Sequence, residues 1–208
     1  GIATLSMNRP EAKNAISTRF LDQFHQRLQD LRYDPSTRVL ILRSVVDRVF
    51  CAGADLKERA GMSPLEVAQF LARLRGAFRD LETLPFPTIA ALDGAALGGG
   101  LEMALSCDLR VAGSGAKVGL PETRLAIIPG AGGTQRLPRI IGVTKTKELI
   151  YTAKVLDFQE AKEYGIVSRV GEDGYEIAKA LAKEMLPQGP IAMRMAKLAI
   201  DKGVHMDM

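Results

Sequence analysis

The chain contains no tryptophan, aromatic residues make up only 5% of its 208 positions, and there are just two cysteines and two histidines. Long apolar runs and blocks of like charge are also missing. Cys51 and Cys107 lie far apart and form no C-x-x-C pattern, which excludes a disulfide framework or a zinc ribbon; they read as small buried hydrophobes. His25 falls inside a helical pattern and His205 near the end of the chain, so neither a metal site nor a Ser-His-Asp triad is expected. No G-x-G-x-x-G follows the first strand and no Walker A lysine follows a glycine loop, which argues against a Rossmann or P-loop enzyme. No stretch approaches a membrane span, and no signal or transit pattern precedes Gly1. The chain opens inside a strand-like segment, so its natural N-terminus is expected to lie upstream. Chemistry then falls to carboxylates.

What the chain does have is glycine, 20 in all, concentrated where two glutamates sit. Glu102 closes the run Gly98-Gly99-Gly100-Leu101-Glu102, and Glu122 follows Pro121. A glycine triplet before an apolar helical stretch lets backbone approach a ligand closely. It also leaves unpaired N–H groups at a helix start, where developing negative charge is stabilised. Two carboxylates beside such donors can add or remove water across a polarised double bond. The same pattern also fits a glycine-rich packing loop with two solvated glutamates. The net charge of +4, with acidic and basic residues interleaved, suits either attraction for a phosphorylated ligand or simple solubility.

Along the chain, Gly1 to Met7 reads as a strand closed by Asn8-Arg9-Pro10. Phe20, Leu21, Phe24, Leu28 and Leu31 keep helical spacing behind a Ser17 or Thr18 cap. Val39 to Leu42 and Thr88 to Leu92 are buried strands, and Leu109 to Ala112 is another. Ser63-Pro64-Leu65-Glu66 is a capping box that opens a helix with Val67, Phe70, Leu71, Leu74, Phe78 and Leu81 on its apolar face. Helices are expected near 134–140 and over 144–152, 157–164, 175–186 and 191–202. Strands alternate with helices over the first two thirds and helices fill the remainder, so the class is α/β.

The motifs Asn8-Arg9-Pro10 with Asn14-Ala15, Phe50 to Lys57, Gly98 to Glu102 with Cys107-Asp108, and Pro121-Glu122 with Ile128-Pro129-Gly130 and Gly132 to Leu137 occur in this order. With them the chain resembles the crotonase superfamily, in particular its enoyl-CoA hydratases. The resemblance implies a crotonase (ClpP-like) fold: a spiral of repeated β-β-α units forming two roughly perpendicular sheets, with the C-terminal helical part truncated. It divides the chain into a core over 1–142, holding an oxyanion hole and the glutamates, and an incomplete helical portion over 143–208. It also implies a homotrimer or dimer of trimers and a mitochondrial matrix location, a bacterial cytoplasm being the alternative.

By the same resemblance, the N–H groups of Ala54 and Gly99 would grip the thioester oxygen of an acyl-CoA, Glu102 would activate water and Glu122 would exchange a proton at the α-carbon. Ala52, Gly53, Asp55, Leu56 and Lys57 would line the coenzyme A path, together with Gly98 and Pro121. Leu125, Ile128, Pro129 and Gly130 would shape the acyl pocket, with Arg124 a candidate only by its proximity to Glu122. Coenzyme A enters as part of the substrate and no separate cofactor is implied. The acyl group would be methylglutaconyl, in leucine breakdown, or a short enoyl chain in fatty acid β-oxidation. Retention of both carboxylates favours hydration over isomerisation, the alternative reaction. One branch of the superfamily is described as binding AU-rich RNA through lysines on its first helix; this chain carries Thr18, Asp22 and Gln26 there, which places RNA in doubt as a partner.

Overall fold

The computed structural model describes residues 1–204, and His205 lies outside them. Strand β1 (Ile2–Met7) leads through a short 3-10 turn into helix α1 (Thr18–Arg32), capped by Ser17, whose hydroxyl oxygen accepts the Phe20 N–H. Strands β2 (Val39–Ser44) and β3 (Val49–Cys51) precede helices α2 (Leu56–Ala60) and α3 (Pro64–Glu82). A second strand pair, β4 (Thr88–Leu92) and β5 (Ala95–Leu97), precedes α4 (Gly99–Leu105). A third, β6 (Leu109–Ala112) and β7 (Lys117–Gly119), precedes the 3-10 turn Pro121–Leu125 and α5 (Gly133–Ile141). The chain continues as α6 (Val143–Thr152), β8 (Val155–Asp157), α7 (Phe158–Tyr164), β9 (Arg169–Val170), α8 (Gly174–Met185) and α9 (Pro190–Gly203).

The strands form two sheets. The first is parallel throughout, in the order β1-β2-β4-β6-β9; the second, β3-β5-β7-β8, is parallel except for the antiparallel β7–β8 pair. Each successive β-β-α unit therefore gives its first strand to one sheet and its second strand to the other, which is the spiral the motifs imply. The last third is not purely helical as expected from its pattern, because β8 and β9 extend the two sheets. These two strands are only three and two residues long, too short to register as a period in the sequence.

The centre of the parallel sheet is buried on both faces, which explains the apolar runs of β2 and β4. Leu40, Leu42, Ala90, Leu92 and Ala112 face the main core with α1 and α3, whereas Val39, Ile41, Ile89, Ala91 and Val111 pack with Ala178, Leu181 and Ala182 of α8. Alternation along each strand supplies both sets, and each large side chain buried this way contributes about 1.5–3 kcal/mol of transfer free energy. Cys51 and Cys107 are buried free thiols in the main core, and burial pushes both up to about 12. Helix α9 has no buried residue, yet Lys197 ties it down by donating to Asp108 Oδ2 at 2.8 Å and to the Phe86 carbonyl at 3.2 Å.

Candidate active site

The strand ends of the second sheet and the turn after β7 converge on one cavity of about 1130 Å³. On one side the chain leaves β3 through Gly53, whose φ of +94° lies in the left-handed region that glycine favours. A single-residue bridge between Ile16 and Ala54 then fixes the backbone: Ile16 N–H donates to the Gly53 carbonyl at 2.8 Å, and Asp55 N–H donates to the Ile16 carbonyl at 3.0 Å. That pattern uses the Gly53 carbonyl and the Asp55 N–H and leaves Ala54 N–H unengaged among the described residues. On the other side Gly98, at φ +52°, turns the chain from β5 into α4, and Gly99 is the first residue of that helix, where an N–H has no intrahelical acceptor. The two backbones touch: a Cβ on Gly53 would stand 3.2 Å from Gly99 N, and one on Gly99 would stand 3.5 Å from Ala54 N. Two donors without acceptors thus lie side by side at the cavity wall.

Glu102 follows on the first turn of α4 and is only 2% exposed. Its Oε1 accepts the N–H of Ala131 at 2.8 Å and of Gly133 at 2.7 Å, at the start of α5. Burial raises its pKa above the ordinary value, while the two amides, then Arg136 and Arg75, oppose the shift by favouring the anion. Glu122, on the 3-10 turn, presents Oε1 toward Gly98, and its Oε2 is buried with no hydrogen-bond partner among the described residues. Burial first, and the neighbouring Glu102 charge second, push the Glu122 carboxyl up to about 7. The turn is fastened from outside: Thr123 Oγ1 donates to the Ile150 carbonyl and Arg124 donates to the Ala153 carbonyl at 2.9 Å. Arg124 is therefore spent on α6 rather than on the cavity. Two carboxyl groups of different proton affinity beside two backbone donors can move one proton to or from water while negative charge gathers on a bound oxygen.

Of the residues named from the sequence, Ala52, Gly53, Ala54, Leu56, Gly98, Gly99, Glu102, Pro121, Glu122, Leu125, Ile128, Pro129 and Gly130 all line this cavity. Asp55 and Lys57 do not. The Asp55 carboxylate accepts the Glu58 N–H to cap α2 and pairs with Arg9 at 3.1 Å, a structural task, and Lys57 is exposed on α2. The residues that sequence reasoning missed are arginines: Arg59, Arg75, Arg79, Arg136 and Arg139 also line the cavity. Arg75 and Arg79 stand one turn apart on α3, and the spacing Leu71, Arg75, Arg79 could have marked a shared face.

A family model described as enoyl-CoA hydratase/isomerase matches residues 1–208. The chain is 54% identical to the mitochondrial methylglutaconyl-CoA hydratase of Mus musculus over 214 aligned residues, covering all of the chain and 68% of that protein. It is 54% identical to the mitochondrial enoyl-CoA hydratase domain-containing protein 2 of Bos taurus, covering 72% of it. Among solved structures, an enoyl-CoA hydratase from Bacillus anthracis superposes with a TM-score of 0.96 at 47% identity, over 99% of this chain and 81% of that one.

Proposed function

The chain belongs to the enoyl-CoA hydratase/isomerase family, and on that premise we propose how its cavity adds water reversibly across the 2,3 double bond of an α,β-unsaturated acyl-CoA. It is an enoyl-CoA hydratase. The N–H groups of Ala54 and Gly99 receive the thioester oxygen. Glu102, held through Oε1, uses its other oxygen to take a proton from water. The water oxygen bonds to the β-carbon, the π electrons move onto the thioester oxygen as an enolate, and the α-carbon recovers a proton from Glu122. Dehydration runs the same steps backwards. Each oxyanion donor lowers the barrier by about 3 kcal/mol, the scale found when one such donor is removed elsewhere.

The observation that carries this reading is the meeting, in one cavity, of Glu102 and Glu122 with two backbone amides that no other group engages among the described residues. The backbone at Ala52, Ala54 and Leu56 lines the pantetheine and adenine path, and the exposed Lys57 reaches toward the phosphates. Leu125, Ile128 and Pro129 form the acyl wall. Coenzyme A arrives with the substrate, and the proposed chemistry calls on no further cofactor. The names of the mammalian relatives support a mitochondrial protein that acts on methylglutaconyl-CoA or another enoyl-CoA; the matrix as compartment and a short enoyl chain as alternative substrate belong to this proposal. Family habit supports assembly as a trimer or dimer of trimers.

No structural observation favours RNA as a partner. On α1, Arg27 pairs with Asp30, and Arg32 donates to the carbonyls of Asp80 and Thr83, so the helix offers no continuous basic stripe. The test of the enzymatic reading is hydration of crotonyl-CoA and 3-methylglutaconyl-CoA by wild type, Glu102→Gln and Glu122→Gln. Each substitution should lower kcat by about 10²-fold or more. Wild-type turnover in both variants would remove the assignment of acid and base.

A further inference from the structure

The cavity does not end at the two glutamates. Its far wall is the face of α3 on which Leu71, Arg75 and Arg79 succeed one another at four-residue intervals. Leu71 and Leu74 give this wall an apolar beginning, and the arginines give it a cationic end. The arginines there differ in how they are spent. Arg136 is fully occupied: Nε and Nη2 donate to the two oxygens of Glu82 at 3.0 and 2.9 Å, and Nη1 donates to the Ala131 carbonyl. Arg75 uses only Nε, on the Gly130 carbonyl at 2.7 Å, which leaves its outer N–H edge unused. Among the described residues no hydrogen bond or ion pair engages the Arg79 guanidinium. Two guanidinium ions one helical turn apart repel each other; Glu102 offsets the Arg75 charge in part, and among the described residues no carboxylate pairs with Arg79. An anion between them would relieve that repulsion.

The position relative to the chemistry is also fixed. The carbonyl that anchors Arg75 belongs to Gly130, next to Ala131, whose N–H holds Glu102. A short acyl chain with its double bond at the glutamates therefore ends near Arg75, and Arg79 lines the same cavity one helical turn further along α3. We infer that Arg75 and Arg79 form an anion subsite for a terminal carboxylate on the acyl group, so that the preferred substrate class is an unsaturated dicarboxylic acid carried as a mono-thioester. Planar guanidinium edges suit a carboxylate, which can accept two parallel hydrogen bonds from each. This rests on the reading that Glu102 and Glu122 flank the reacting bond, and it names the residues that select the acyl group.

The test separates the two claims by measuring binding without turnover. Glutaryl-CoA and butyryl-CoA are both saturated and share the same coenzyme, so the ratio of their Kd values isolates the distal carboxylate. By titration calorimetry wild type should bind glutaryl-CoA about tenfold or more tightly than butyryl-CoA. Arg79→Met and Arg75→Met should each shrink that ratio severalfold, the double variant should bring it to about one, and Arg79→Lys should restore part of it. A ratio already near one in wild type, or one that survives the double variant, overturns the subsite. Arg27→Met, which removes an equal charge from α1, should leave the ratio alone; an equal collapse there would make the effect one of net charge and also overturn it. Glu102→Gln reports on the other claim: if it keeps wild-type hydration of crotonyl-CoA while the ratio behaves as expected, the catalytic assignment falls and the subsite stands.

Discussion

The N–H of Gly133 donates to Glu102 Oε1 at 2.7 Å, and a Cβ built on Gly133 would stand 3.0 Å from that same oxygen. The helix that begins at Gly133 thus orients the carboxylate, and the missing side chain is what lets it come so close. Gly133→Ala should push the carboxylate aside while leaving the fold in place. A displacement near 1 Å in a reacting group costs about 10²-fold in rate. Steady-state hydration kinetics should show the loss in kcat, with KM little changed and a melting curve close to that of wild type. Unaltered kcat would show that this oxygen needs no such placement.

The pH dependence follows from proton counting. In the proposed reaction hydration begins with Glu102 ionised and Glu122 protonated, and ends with the proton on the other member, so the pair carries one proton in either direction. Its titration belongs to the pair. Because Glu122 is held at about 7, kcat/KM should fall as pH rises through that value, and hydration and dehydration should fall together. A flat profile between about pH 6 and 9, or opposite limbs for the two directions, would contradict the shared proton.

The same shift has a consequence for stability. The folded-state pKa of Glu122 is raised from 4.5 to about 7, so the folded protein keeps a proton that the unfolded chain loses between those values. This contribution is fully present below about 4.5 and is lost as pH rises through about 7. Glu122→Gln removes the titration, so in urea titrations it should gain stability relative to wild type at pH 8 compared with pH 5. An unchanged difference between the two pH values would show that the carboxyl is not held protonated.

Adjacent glycines should separate activity from folding. A Cβ at Gly99 makes only ordinary contacts, 3.5 Å from Ala54 N, whereas one at Gly100 would stand 2.1 Å from the Cys51 carbonyl oxygen. Gly99→Val should therefore fold yet lose about 10²–10³-fold in kcat by filling the space between the donors. Gly100→Ala should express poorly or melt early, since backbone must move to admit a methyl group. Thermal melts and crotonyl-CoA assays on both proteins check the contrast.

Helix α9 buries no residue and is held by the Lys197–Asp108 pair, whose lysine side chain is 10% exposed. Asp108 is itself engaged by the N–H and hydroxyl of Thr88. Lys197→Met should leave that carboxylate without its cation and speed amide hydrogen exchange over residues 190–203, with less effect on the parallel sheet. Uniform exchange across wild type and variant would show that other contacts hold the helix.

Legibility varied with length and chemistry. The long helices announced themselves through the capping box at Ser63 and through spaced leucines, and the structure has that box. The apolar runs of β2 and β4 were equally plain. The second sheet was not, because β3, β5, β7 and β8 are each three residues long, and residues such as Ala95-Ala96-Leu97 carry no alternating pattern. It was the motif resemblance that implied a second sheet at all. At the cavity, glycine and proline marked Glu102, Glu122 and the amides at the start of α4, and the motif resemblance added Ala54. Arg75 and Arg79 stayed hidden because a helix's polar residues look alike in sequence, whether they face water or a cavity; only the fold of the Gly130 loop against α3 tells them apart.

The bridge between Ile16 and Ala54 joins the proposed oxyanion-binding amide to the segment that follows β1 through one pair of hydrogen bonds. That segment is itself clamped by Asn14, fully buried, whose side chain reaches Ser44 and Phe50. Substitutions that loosen this bridge while leaving the core filled would thus behave as misalignments of an optical bench: the instrument stays assembled while its output dims, and screens that score only expression or solubility would pass such proteins as healthy.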